Sequence, residues 1–236
     1  MWYRFVLLLC SIVSFSASSI QISSLYLTAD DTNTATFTVT NTDDKRIFLN
    51  IGVYELHMED GEIVKIPYTR ENLSQWQVNI KPSRTIIEPG FKKEFKVARS
   101  CGAECTDVIE DQIFQLAVVP TPYFDERSRP KQAVQMAIGF APVFIVPGTG
   151  APMEYDATYD DGQLTVFNRG KNVIDAVVRS SQCKKGQDSC RIAFKVMPQR
   201  RFSIPLKTSV ASRDIIIALG MTQTDERIEL TLRDPS

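Results

Sequence analysis

Histidine is almost missing from this chain: His57 is the only one in 236 residues. A single imidazole removes most Ser-His-Asp, Cys-His and multi-histidine metal arrangements at once. An apolar run long enough to cross a bilayer is also missing, because the stretch from Phe5 to Phe15 falls well short of the ~20 residues a spanning helix needs. Charge of one sign is missing too. Lys and Arg total 27 against 28 Asp and Glu, which leaves no general field to attract nucleic acid or an anionic membrane surface. Gly148-x-Gly150 lacks the full phosphate-binding glycine pattern, and no helical period follows it or occurs at length elsewhere. The acidic pairs Glu59-Asp60, Asp160-Asp161 and Asp225-Glu226 adjoin turn or polar segments, where solvated loops are the expectation rather than acid–base chemistry. These absences lead us to expect no enzyme, cofactor, metal site, nucleic-acid partner or stable membrane insertion.

What the chain does have is core-forming capacity, with 43% hydrophobic and 23% charged residues. Its start reads as an export signal: Arg4 supplies a basic residue, Phe5–Phe15 the apolar segment, and Ser16 with Ser18 or Ala17 with Ser19 the small residues before cleavage. Residues 1–19 are therefore expected to be removed, Cys10 with them, and the mature chain to reach the periplasm. Four cysteines remain in two local pairs, Cys101 with Cys105 and Cys183 with Cys190. Cys-x3-Cys and Cys-x6-Cys spacings do not suit zinc, so two short-loop disulfides are expected in an oxidising compartment.

Alternation with a period of two dominates the rest. In Thr34–Thr40, Ala35, Phe37 and Val39 share one face and threonines the other, which is the mark of a half-buried strand. Asn41-Thr42-Asp43-Asp44 turns, Ile47–Leu56 resumes an extended pattern, and Glu59-Asp60-Gly61 turns again. Further strands are expected over 63–66, 76–80, 92–98, 113–119 and 133–146, with a tight turn at Glu88-Pro89-Gly90. That many strands with turn signals between them predict an all-β immunoglobulin-like sandwich over 20–146. Pro147-Gly148-Thr149-Gly150-Ala151-Pro152 breaks the pattern as a hinge, and a smaller β-sandwich is expected over 153–236, with strands at 163–168, 173–180, 191–196, 201–204, 214–219 and 227–232.

The segment Gln132–Phe140 carries the sharpest pattern. Val134, Met136, Ile138 and Phe140 share one strand face, while Ala133, Gln135, Ala137 and Gly139 make the other. Such a row serves either as an internal core strand or as an edge strand whose large side chains fill a partner's groove. Periodicity alone does not choose between them.

In its order of segments the chain resembles the periplasmic chaperones of the chaperone–usher pilus pathway. The resemblance rests on the export signal, the strand Thr36–Asn41, Ile87-Glu88-Pro89-Gly90 ahead of Lys96-Val97-Ala98-Arg99, the run Asp111–Pro120, and Val134-Gln135-Met136-Ala137-Ile138 after a long charged loop. It covers most of the first domain, and the second mainly in length, β character and the turn Asn168-Arg169-Gly170. The resemblance implies two immunoglobulin-like sandwiches joined at an angle, donor-strand complementation of pilin or fimbrial subunits by Val134, Met136, Ile138 and Phe140, and delivery to an outer-membrane usher. One departure stands out. The family's common branch clamps the subunit carboxylate with an Arg on the first strand and a Lys on the last strand of the first domain, but 19–28 and 133–146 contain neither residue type. The pattern is nearer to the alternate or common-pilus branch. Two other functions fit a β-sandwich: an exported structural or adhesive pilus component, and a carbohydrate-active enzyme.

Overall fold

The computed structural model describes residues 20–59, 61–100, 108–123, 138–183, 187–207, 210–222, 224 and 227–235. Among these, strands account for nearly all regular structure, and the helical content is confined to short 3-10 turns such as Arg70–Gln75 and Asp188–Cys190.

The chain opens with β1 (Ile20–Ile22) and β2 (Tyr26–Thr28), then β3 (Thr34–Asn41), β4 (Ile47–Glu59), β5 (Glu62–Pro67), β6 (Val78–Lys81), β7 (Arg84–Ile87), β8 (Lys92–Arg99), β9 (Gln112–Pro122) and β10 (Val143–Val146). One sheet runs β1-β3-β8-β6; the other runs β2-β10-β9-β4-β5, with β7 also on β4. Alternation explains the sandwich between them. Phe37, Val39, Phe95 and Val97 from the first sheet meet Leu49, Ile51, Phe114, Leu116 and Phe144 from the second in one buried cluster. The Phe37 and Phe95 rings stack 5.2 Å apart across the β3–β8 pair.

β1 and β2 lie on different sheets: β1 pairs antiparallel with β3, β2 parallel with β10. Only three residues separate them, and Ser23 makes the crossing, its amide donating to the Thr38 carbonyl and its hydroxyl accepting from the Thr38 amide.

The second sandwich comprises β11 (Tyr155–Asp160), β12 (Gln163–Asn168), β13 (Ile174–Ser180), β14 (Arg191–Val196), β15 (Arg201–Pro205), β16 (Asp214–Met221) and β17 (Arg227–Arg233). Its sheets run β11-β12-β15 and β14-β13-β16-β17, closing over Leu164, Val166, Val178, Ile215, Ile217 and Leu219. The expected disulfide between Cys183 and Cys190 is present, with Cα atoms 5.9 Å apart; Cys101 and Cys105 lie outside the described residues. β1, β2 and β7 are three or four residues long, too short for alternation to mark them, and the six-residue β11 is not among the strands expected from the sequence. Trp76, expected in a strand, instead follows the 3-10 turn, where its ring stacks on Tyr68 and its indole N–H donates to Asn72.

The two sandwiches share one buried polar device. Asn41 ends β3 and Asn168 ends β12, both fully buried. The Asn41 amide donates to the carbonyls of Lys45 and Ile87 while its oxygen accepts from Asp43 N–H. Asn168 does the same with Asn172, Val196 and Gly170. The equivalence extends to the sheet, where Ile87 pairs with Ile47 and Val196 with Ile174, each opening the strand after the turn. An amide side chain is the smallest group that can tie a turn to a neighbouring strand with three bonds in a dry setting. Replacing Asn168 by Ala leaves those groups buried without partners, at a cost on the order of 1–3 kcal/mol for each. A marked fall in the urea midpoint of Asn168→Ala checks this; an unchanged midpoint contradicts it.

Candidate functional site: an open sheet edge

The site is built on the far side of β9. Backbone groups of a strand point alternately to its two neighbours. On β9 the odd-numbered residues serve β4, as Tyr123 N–H donating to Arg46 O just beyond its end shows. Even-numbered ones serve β10 and the residues before it: Leu116 N–H donates to Pro142 O and Val118 N–H to Phe140 O, both at 2.8 Å, and Phe140 N–H returns a bond to Val118 O at 3.0 Å. One register holds throughout, with Val146 opposite Gln112, Val143 opposite Gln115 and Phe140 opposite Val118. Pro142 interrupts the strand because it has no N–H for Leu116 O.

Two steps further, the same register sets Ile138 opposite Pro120. Here the ladder stops: Pro120 has no N–H to donate, and among the described residues no backbone bond joins the two. Pro122, two residues further along β9, likewise has no N–H to donate. Prolines are confined to positions on sheets where no ladder donor is needed, so Pro120-Thr121-Pro122 marks this side of β9 as an edge while Thr121 stays paired with Phe48 of β4.

The outer side of the 138–146 segment is also open. Val143 N–H donates to Leu25 O, and Ala29 N–H to Ile145 O, so β2 covers β10 itself. Upstream of Val143 the described residues provide no such cover, since β1 has crossed to the other sheet. Gly139 and Ala141, whose N–H groups point to that side, have no backbone partner among the described residues. Gly139 must be glycine here, since a Cβ would sit 2.8 Å from Val118 O.

Side chains along this segment grade from core to solvent. Val146 and Phe144 are buried in the first sandwich, Phe140 is half-buried against the same cluster, and Ile138, on the same face by alternation, is 69% exposed. The four-residue row expected from the sequence therefore divides. Ile138 is free of its own core, whereas Phe140 is bound into it by packing and by the Val118 pair; Val134 and Met136 lie outside the described residues. The opposite face of β10 is used differently: Val143 and Ile145 pack with Ile113, Leu56, Val173 and Met197, the last two from the second sandwich.

A half-buried carboxylate fixes that contact. Asp111, just before β9, accepts from Gly148 N–H through Oδ1 and from Val173 N–H through Oδ2, each at 2.7 Å, and its own N–H donates to Asn172 Oδ1 at 3.0 Å. Burial pushes this carboxyl above its ordinary range, while the two N–H donors pull it down. Gly148 allows the approach, since a Cβ there would fall 2.5 Å from Ile109 O. A second tie joins the β4–β5 turn to the second sandwich, where Arg200 donates to Gly61 O and faces Glu62. In the sequence Asp111 stands out only as an acidic residue preceding a strand, and its role as a clasp has no side-chain motif. Of the acidic pairs, Asp160 and Asp161 sit at the exposed β11–β12 turn, where the Asp161 and Gly162 N–H groups meet Asp234. No cluster of three metal-ligating side chains occurs among the described residues, and no helix among them is long and apolar enough to cross a membrane.

Two β-sandwiches, the first with an edge segment at 138–141 that has no outer backbone cover among the described residues, define the architecture. The family model described as the CS5 fimbrial protein N-terminal domain matches residues 22–147, more than half of the chain, and the protein belongs to that family. No curated protein matches it significantly. Among solved structures it is similar to the class 5 fimbriae chaperone CfaA, at 8% identity and TM-score 0.52 over 91% of this chain and 99% of that one. It is likewise similar to the SafA pilin–SafB chaperone complex of Salmonella enterica (13%, 0.52, 93% and 99%) and to the CsuC–CsuE chaperone–tip subunit complex of Acinetobacter baumannii (12%, 0.51, 93% and 100%). At these identities the likeness is one of fold.

Asp111→Ala removes the acceptor shared by the Gly148 and Val173 amides. We expect both amides to gain hydrogen exchange and the protein to lose stability, on the order of 1–3 kcal/mol per unpaired group. Exchange at Gly148 and Val173 unchanged from wild type contradicts the clasp.

Proposed function

We propose that the protein is a periplasmic chaperone of fimbrial subunits, which adds its edge segment ending at Phe140 to a subunit that lacks a strand, and passes the subunit to an outer-membrane usher. The observation that carries this is the graded row from buried Phe144 through half-buried Phe140 to 69% exposed Ile138, on a segment with open backbone groups. Continued upstream, the row adds Met136 and Val134. A core that runs out along a strand into solvent is stabilised by a partner that extends it, and each apolar side chain so covered contributes about 1.5–3 kcal/mol before ordering costs. Main-chain bonds from the open edge add affinity without sequence selectivity.

The membership in a fimbrial family and the shared fold with CfaA, SafB and CsuC support the same function. The first domain spans 20–146, the hinge 147–152 and the second domain 153–236, and the expected leader 1–19 takes the chain to the periplasm. No step requires catalysis: release follows from strand exchange. Because the family model is described as that of a fimbrial protein, a pilus component is the competing function, and incorporation of the chain into purified fibres would favour it over a soluble one-to-one complex.

Ile138→Asp tests the docking edge. In the free protein the new carboxylate stays solvated, so thermal unfolding should remain near wild type; against a subunit groove it meets an unpaired-charge penalty that abolishes capture. Phe140→Asp, by contrast, buries a charge against the protein's own core and should lower stability even without a subunit. Co-purification from periplasm with mass identification of the bound chain reads the first effect. Undiminished subunit capture by folded Ile138→Asp would sink the assignment.

A further inference from the structure

We infer that Pro120 is a tuning residue, which limits how far the edge segment pairs with its own sheet and so sets how tightly a subunit is held. The inference rests on the proposed chaperone function for its consequence, but its structural half stands on β9 alone. The bonds from Leu116 and Val118 to Pro142 and Phe140 come at every second residue, and the next donor in the series falls at Pro120. The segment would otherwise gain another main-chain bond at Ile138, whose carbonyl the register places opposite. Nothing else on β9 opposes it, since the neighbouring odd positions are engaged with β4, Val119 opposite Asn50 and Thr121 opposite Phe48. The proline ring thus removes one donor from one side of one strand and leaves the rest of the sheet intact.

The effect on binding has a definite sign. Own-sheet bonds use the backbone of Pro142 and Phe140 on the β9 side, and a restored bond would use that of Ile138 there, whereas a docked strand would use Gly139 and Ala141 on the other. The two do not compete. Extending the own-sheet ladder would order the segment before the subunit arrives, so that less conformational freedom is lost on docking. By withholding that bond, Pro120 keeps the segment loosely held in the free protein, weakens the complex and favours handover by strand exchange. A strand that had to hold its client permanently would gain from the extra bond; one that must give it up gains from the proline.

The experiment replaces Pro120 by Val and, separately, by Ala. Both restore the N–H, and Ala guards against failure of the bulkier β-branched side chain to pack. In the free protein we expect the new amide at position 120 to be protected from hydrogen exchange to a degree comparable with Val118. With the fimbrial subunit identified by mass from the wild-type complex, we expect dissociation to slow about two- to tenfold, the worth of one main-chain bond. If the position-120 amide exchanges as freely as an exposed loop in both variants, the inference fails at its structural half. If the amide is protected but dissociation is unchanged or faster, it fails at its functional half. Should the wild-type protein retain no subunit, the chaperone function fails instead, and the exchange measurement still decides the ladder.

Discussion

Everything in this protein that bears on function depends on one constraint, the single register in which residues 140–146 lie along β9. That register turns Phe144 and Val146 into the first core and Val143 and Ile145 toward the second sandwich. It fixes which backbone groups are consumed by β9 and which face away. A slip of one residue would exchange the two faces and bury the wrong set. Three features hold it: the Val118–Phe140 pair, the cover that β2 gives to β10, and the Asp111 carboxylate that ties the start of β9 to Gly148 and to Val173.

From this register follows the unusual state of the edge. Exposed edges are normally blunted against unwanted pairing by charge, proline or a covering segment. Here β2 covers β10, but the crossing of β1 to the other sheet withdraws cover from Ala141 and Gly139. Two prolines on β9 then remove donors from the side next to Ile138. The outcome is a segment bonded to β9 through Phe140 and Pro142 and without backbone cover on its other side among the described residues, the arrangement on which the proposed strand addition rests. The second sandwich adds rigidity by packing on the outer face of β10 through Val173 and Met197.

Much of the architecture is legible in the sequence because alternation is written directly into half-buried strands. Thr34–Asn41, Lys92–Arg99, Gln163–Asn168 and Arg191–Val196 fall where their patterns predict. Strands too short to show a period, such as Ile20–Ile22 and Tyr26–Thr28, are not visible in this way, although their split between two sheets is what exposes the edge. The face shared by Ile138 and Phe140 is readable, but not its division, since alternation names a face without saying where the core beneath it ends. Asp111 is hidden for a related reason: its partners are main-chain amides 37 and 62 residues away, and these carry no side-chain signal. The prolines at 120 and 122 do carry one. Their spacing of two on a strand marks an unpaired side, a signal that the residue types alone convey.

The most direct measurement of the open edge is residue-resolved hydrogen exchange of the protein alone and in complex with the fimbrial subunit proposed for it. Strand addition on the uncovered side predicts that the Gly139 and Ala141 amides, which lack backbone partners among the described residues, become strongly protected in the complex, while Phe140, already bonded to Val118, changes little. Protection that leaves Gly139 and Ala141 as in the free protein and appears instead on the second sandwich would contradict docking at this edge.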